Sequence, residues 1–318
     1  MLGKSIFLWL SLFRHEVKMT KIISFLLVAI VILAIVSSPV YAVVNKISPG
    51  DKVFLGESGL DLTGFIDGPV MIAWYHDPCN YGIIGGYRGC VPPEDETPTI
   101  IKKIEDPADF FVKPIDFVWF PGEWYLWDGE KHGDVVFIIE EPSISINIWD
   151  STKQRDITNK AIPQGNYVDF LIETNMDSVT KREGYNEEDA PFSIFIKLGK
   201  DGDIISELPG KDNAMISLLQ LPVDKNKWYW VGLDEDHTKA AKGDGWNTGD
   251  LSVLPGEYWV WAESNLNGMI DNYLAPDGST WTSKTQSSVK KIKITEEPGT
   301  VSKPTHTVGK PIYGGQTD

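Results

Sequence analysis

Two acidic stretches have the residue types for cation chemistry. Asp201 and Asp203 flank a glycine, and Asp234-Glu235-Asp236-His237 is followed by Asp244 seven residues past the histidine. Short Asp-rich turns supply hard oxygen donors, the ligands that calcium takes. Asp201, Asp203, Asp234, Asp236 and Asp244 are therefore candidate calcium ligands; the other reading is of solvated turn carboxylates on an acidic protein. Neither stretch has the full spacing of a helix-loop-helix calcium loop.

Paired carboxylates also serve glycoside hydrolysis, but among 45 acidic residues a pair in sequence carries no information. Glu123 and Glu257 occupy matching places in an internal echo described below, where a turn explains them. There is no Gly-x-Ser-x-Gly elbow, His-Glu-x-x-His, phosphate-cradling glycine loop or Cys-x-x-Cys. Of five histidines, His15 lies near the start and His76, His132, His237 and His306 are scattered. No catalytic residue is assigned, and an enzyme is not expected. Flat aromatic rings stack on sugar faces, and Trp124, Trp127, Trp228, Tyr229, Trp230, Trp259 and Trp261 are the candidates for such a platform. The alternative is that these rings fill cores.

Export sets the context. Ile22 to Val36 is an apolar run preceded by Lys18 and Lys21 and followed by Val40 and Ala42 at signal-peptidase spacing, which predicts a leader over 1–42. An uncleaved anchor is the competing reading, and Met19 is an alternative start. The leader carries four basic residues and one acidic residue, so the mature chain stands at −19 against −16 for the whole. Such a surface repels nucleic acid and anionic lipid headgroups, so neither is an expected partner. In an oxidising compartment Cys79 and Cys90, enclosing ten residues, read as one disulfide; free thiols or crosslinks between chains are the alternatives.

After the leader, apolar residues come in short stretches bounded by Gly, Pro, Asn and Asp, which is strand punctuation. Ile144 to Trp149 alternates with period two, as a half-buried strand does, whereas Pro69 to Trp74 and Asp134 to Ile139 are unbroken runs that predict fully buried strands. The best helical candidate, Asp212 to Gln220, is short and equally suits a strand with its turn. The expected fold is all-β, with antiparallel sheets packed as two Ig-like β-sandwiches. Pro121-Gly122-Glu123-Trp124-Tyr125-Leu126-Trp127 returns as Pro255-Gly256-Glu257-Tyr258-Trp259-Val260-Trp261. That echo suggests related domains over 43–142 and 143–295, with a flexible tail over 296–318.

Three stretches carry a family resemblance: Ile47 to Leu62, with its Gly-Asp, Val-Phe, Gly-Glu and Gly-Leu-Asp steps; Trp149-Asp150 with Asp156-Ile157-Thr158; and Trp246 to Gly249 with Pro255 to Asn267 and Asp271-Asn272-Tyr273. With them the chain resembles a β-rich domain of unknown function found, often in tandem, in surface proteins of methanogenic archaea. The resemblance covers nearly all of the mature chain. It implies an archaeal envelope protein of the surface-layer or sheath kind and supplies no catalytic residues. Many relatives look larger and end in a surface anchor, whereas this chain ends without an apolar segment, so non-covalent attachment or self-assembly is expected. The expected function is a structural extracellular protein that forms or coats a surface layer, sheath or filament. The alternative is a secreted carbohydrate- or protein-binding adhesion module. Expected partners are copies of itself or other envelope proteins, and glycans, with no membrane contact after signal cleavage.

Overall fold

The computed structural model describes residues 45–76, 92, 96–186, 189, 191–223, 225–230 and 240–296. The leader, Cys79, Cys90, Asp234, Asp236 and the tail after Glu296 lie outside the described residues, and with them the disulfide and part of the calcium expectation.

Strands come in chain order as β1 (Asp51–Phe54), β2 (Val70–Trp74), β3 (Ile100–Ile104), β4 (Gly122–Trp127), β5 (His132–Glu140), β6 (Ile144–Asp150), β7 (Arg155–Asp156), β8 (Lys160–Pro163) and β9 (Tyr167–Thr174). There follow β10 (Phe192–Leu198), β11 (Ile204–Ile205), β12 (Glu207–Pro209), β13 (Met215–Ser217), β14 (Lys227–Trp230), β15 (Trp246–Asn247), β16 (Gly256–Ser264) and β17 (Lys290–Thr295). The first sheet runs β1-β5-β4-β2-β3 and the second β11-β10-β16-β17-β8. The third runs β14-β9-β6-β7, with β15 also on β9, and β12 and β13 pair alone. Among the described residues helix is limited to short segments, such as Pro114–Phe117, the six-residue 3-10 stretch Met176–Lys181 and Met269–Asn272. The fold is mostly β, as the sequence predicts. No helix among the described residues is long and apolar enough to cross a membrane.

Local pattern explains most of these strands. β6 alternates buried and half-buried residues along its whole length, as its period-two sequence requires. β2 and β5 correct the expectation of fully buried strands: Ile72 and Val136 are sealed, but Met71 is 39% exposed. One face of the first sheet meets a core, and the other carries a smaller cluster of Ala73, Tyr75 and Tyr125. Asp212 to Gln220 becomes a 3-10 turn and then β13, the strand-with-turn alternative. Antiparallel pairing dominates, with two corrections: β1 runs parallel to β5, and β8 parallel to β17. In each case one partner is an edge strand brought in by a long crossover, which parallel pairing needs.

The echoed segments become β4 and β16, and each is the middle strand of its five-stranded sheet. Trp124 and Tyr258 hold the same place in the echo. Both point into a core, and both donate to a carbonyl four residues back, Trp124 to Phe120 at 3.1 Å and Tyr258 to Leu254 at 2.7 Å. The Pro-Gly turn therefore sits between a buried ring and the backbone oxygen that satisfies its polar tip. Glu123 and Glu257 are exposed at these turns, in different sheets.

The described residues belong to one compact unit with two main cores. One gathers Ile47 to Ile139, and the other gathers Ile144 to Ile294. Each also takes large side chains from the far side of the chain: Tyr273, with half-buried Trp281 against it, enters the first and Phe54 the second. If the Tyr258 hydroxyl is anchored as described, Tyr258→Phe lowers stability by about 1 kcal/mol. Urea unfolding followed by tryptophan fluorescence measures this, with an unchanged slope expected.

Candidate functional site

The residues that make the sequence distinctive converge on one seam between the two cores. At the end of β1, Gly56 turns with φ +95° and Glu57 folds back so that its carboxylate accepts from the Phe54 amide at 2.8 Å. The 3-10 turn Met176–Lys181 after β9 delivers Arg182. Its guanidinium grips Glu57 with two bonds, 2.7 and 2.8 Å, and also donates to the Lys52 carbonyl at 2.7 Å. Both side chains are out of solvent, at 1% and 0% exposure. Asn267 adds a fourth donor group to the Glu57 carboxylate at 3.1 Å.

Around this pair the first and last family stretches interlock. The Ser58 amide donates to the Asn267 carbonyl at 3.0 Å, and Asn272 donates to the Gly56 carbonyl at 2.9 Å. Asn267 reaches this position with φ +46°, a left-handed conformation that Asn tolerates better than most residues. A β-carbon on Gly56 would lie 2.8 Å from the Tyr273 β-carbon, so only glycine allows this approach. The Tyr273 hydroxyl donates to Glu141, whose other oxygen pairs with Lys284. Burial and that carboxylate hold the phenol far above its usual range. Arg182 stands 125 residues from Glu57 and outside all three family stretches, and sequence reading missed it.

The aromatic candidates divide. Trp124 and Trp228 are core residues, and Trp230 packs against the second core. Trp127 lies on the small Ala73 cluster. Tyr229 meets Trp149 edge to face at 5.7 Å. Trp259 and Trp261 instead stand on the face of β16 away from the core, both half-buried. The Lys291 ammonium lies 4.5 Å over the Trp259 ring, and Trp261 stacks on Phe195 at 5.4 Å. Their indole N–H groups donate to Glu257 and Glu263 at 2.8 and 2.7 Å. The two rings are held in place by neighbours, Trp259 by Lys291 and Trp261 by Phe195 and by Lys197, whose ammonium lies 5.8 Å over it.

The acidic candidates also divide. Asp201 and Asp203 are exposed between β10 and β11. Asp244 lies before β15, its carbonyl accepting from Ser151 and its Oδ1 from the Gly245 amide at 2.7 Å. Beside it is Asp169 on β9, fully buried, with neither carboxylate oxygen hydrogen-bonded. Burial, with the Asp244 charge adding to it, pushes the Asp169 carboxyl up to about 10. A signal for Asp169 exists: it is the acidic residue in the otherwise apolar run Tyr167-Val168-Asp169-Phe170-Leu171-Ile172. Among the described residues no three Asp, Glu, His or Cys side chains converge as a metal site.

Two outcomes follow. Glu57→Gln leaves Arg182 without its counter-charge and costs about 3–5 kcal/mol in chemical denaturation. The folded state keeps a proton on Asp169 that the unfolded chain releases above its ordinary carboxylate value. In metal-free buffer stability therefore falls as pH rises from about 4 toward about 10. Melting curves from pH 5 to 9 read this decline, and Asp169→Asn flattens it.

No curated protein matches the chain in sequence. Among solved structures, one titled BspA_C_WT aligns at 11% identity and TM-score 0.27, covering 77% of this chain and 96% of its own. The Streptococcus agalactiae AgI/II polypeptide BspA C terminal domain aligns at 10% identity and TM-score 0.27, covering 77% and 95%. Likeness at this level carries no argument about function. The family model for the domain of unknown function DUF3821 matches residues 49–271, a span that opens just before β1 and closes in the Met269–Asn272 turn, taking in both sides of the Glu57 seam. The chain belongs to the DUF3821 family.

Proposed function

We propose that this chain is an exported structural module of an extracellular layer, a component that forms or coats the surface layer, sheath or filament of an archaeal cell. The observation that carries this reading is the seam. The first and last stretches that carry the family resemblance direct their polar side chains at each other in a sealed joint, so these stretches hold shape. An apolar leader ahead of an acidic mature chain supports export and solubility outside the cell. Sheet edges support association with further copies or with other envelope proteins, because edge strands carry unpaired backbone groups. On this reading the protein is not an enzyme, and calcium bound at its acidic loops is a stabiliser.

Trp259 and Trp261 favour a second reading, a carbohydrate- or protein-binding adhesion module. Their rings are fixed on the outer face of the second sheet, beside the exposed Ile204 and the lysines at 197, 291 and 293.

Electron microscopy of residues 43–318 under non-reducing conditions, with and without added calcium, separates the two. The structural reading predicts ordered sheets, tubes or filaments. Dispersed particles in both conditions, together with a tryptophan fluorescence response to a glycan panel that Trp259→Ala and Trp261→Ala abolish, would replace it with the binding module.

A further inference from the structure

Asp169 poses a problem that its surroundings do not solve. It lies on β9 opposite Trp149 of β6, on the face of the third sheet away from the core. A carboxylate sealed from water without a hydrogen bond carries a large desolvation cost, and native proteins rarely leave one so. The Asp244 charge beside it makes matters worse. A proton on Asp169 removes one charge of the pair and leaves a buried O–H with no acceptor, so protonation answers half of the problem.

The surrounding backbone has the shape of a cradle. Gly245 packs against the carboxylate with φ +107°, and a β-carbon there would lie 2.1 Å from Asp169 Oδ1 and 2.7 Å from the Val168 carbonyl oxygen. Any side chain at position 245 would collide with the Asp169 carboxylate and the Val168 carbonyl, so glycine is what lets these oxygens approach the Asp244-Gly245 backbone. Asp244 Oδ1 is turned to the Gly245 amide, which leaves Oδ2. The Asp169 carboxylate, the Val168 carbonyl and the Asp244 carboxylate thus all lie against Gly245, and as oxygen donors they carry −2 when both carboxyls are ionised. A divalent ion neutralises it, and oxygen donors select a hard cation such as calcium.

We propose that Asp169 and Asp244 hold a divalent cation, calcium by its donor set, against the Gly245 backbone on the outer face of the third sheet, with backbone and water oxygens completing its shell. This moves the cation expectation away from Asp201 and Asp203 and onto a residue absent from the sequence-based ligand set. It does not depend on the protein being a layer component. It assigns Gly245 the role of letting the Asp169 carboxylate approach Asp244, and Asp169 that of principal ligand.

Terbium is the probe, because Trp149 opposite Asp169 and Tyr229 against Trp149 are placed to sensitise its emission. The metal-free mature chain is titrated with terbium and then with calcium, and its melting temperature is measured in calcium and in chelator. The expected result is saturable emission from one ion per chain that calcium displaces, and a higher melting temperature in calcium. Asp169→Asn and Asp244→Asn each weaken terbium binding at least tenfold and abolish the calcium shift. In chelator at neutral pH, Asp169→Asn melts at or above the wild-type temperature, because the variant folds without having to take up a proton at this position. An Asp201→Asn/Asp203→Asn chain behaves as wild type. Should Asp169→Asn misfold, Asp244→Asn and the wild-type calcium shift still decide. Absence of saturable emission from the wild type would overturn the proposal. So would emission undiminished in both single variants, or an equal loss in the Asp201/Asp203 chain.

Discussion

Taking a carboxylate and a guanidinium wholly out of water costs several kcal/mol for each ion, and only close geometry with several hydrogen bonds offsets it. Glu57 and Arg182 meet that condition. The carboxylate accepts from two guanidinium nitrogens, the Phe54 amide and Asn267, and the guanidinium also reaches the Lys52 carbonyl. The pair depends on both halves of the chain being folded at once, because β1 presents one ion and the turn after β9 the other. The exchange of large side chains adds to this dependence. Val53 and Phe54 are neighbours on one strand, so their side chains point to opposite faces, and they enter different cores. Tyr273 completes the traffic in the other direction, over a glycine that leaves it just enough room.

How much of this was legible depends on the range of the interaction. The alternation of Ile144, Ile146 and Ile148 is a local signal, and it placed β6 and its buried face. The echo located two middle strands because a Pro-Gly turn followed by a buried ring is also a local pattern. The direction of β1 against β5 was not legible, since a parallel pairing is set by a crossover that no short window contains. The family stretches marked Glu57, Asn267 and Asn272, yet their partnership depends on folding across more than two hundred residues. Arg182 had no local signature of any kind.

The same limit explains the candidate sites. Alternation in Trp259-Val260-Trp261 says that the two tryptophans share a face, but which face meets the core is decided by the sheet packed on it. Trp228 and Trp230 share a face by the same rule, and theirs turned inward. Acidic residues drew attention where they clustered in loops. The buried carboxyl instead stands alone in a strand, and its meaning comes from Asp244 and Gly245, which approach only in the folded chain. A single charged residue in an apolar run is a quiet signal in sequence and a costly one in structure.

If the buried pair makes the two cores one cooperative unit, native-state hydrogen exchange at rising denaturant is the direct test. Amides of β2 and β4 in the first sheet and of β10 and β16 in the second should merge into a single opening free energy in the wild type, and separate in Glu57→Gln. A first sheet that opens independently of the second in the wild type, at a free energy that Glu57→Gln leaves unchanged, would contradict the account.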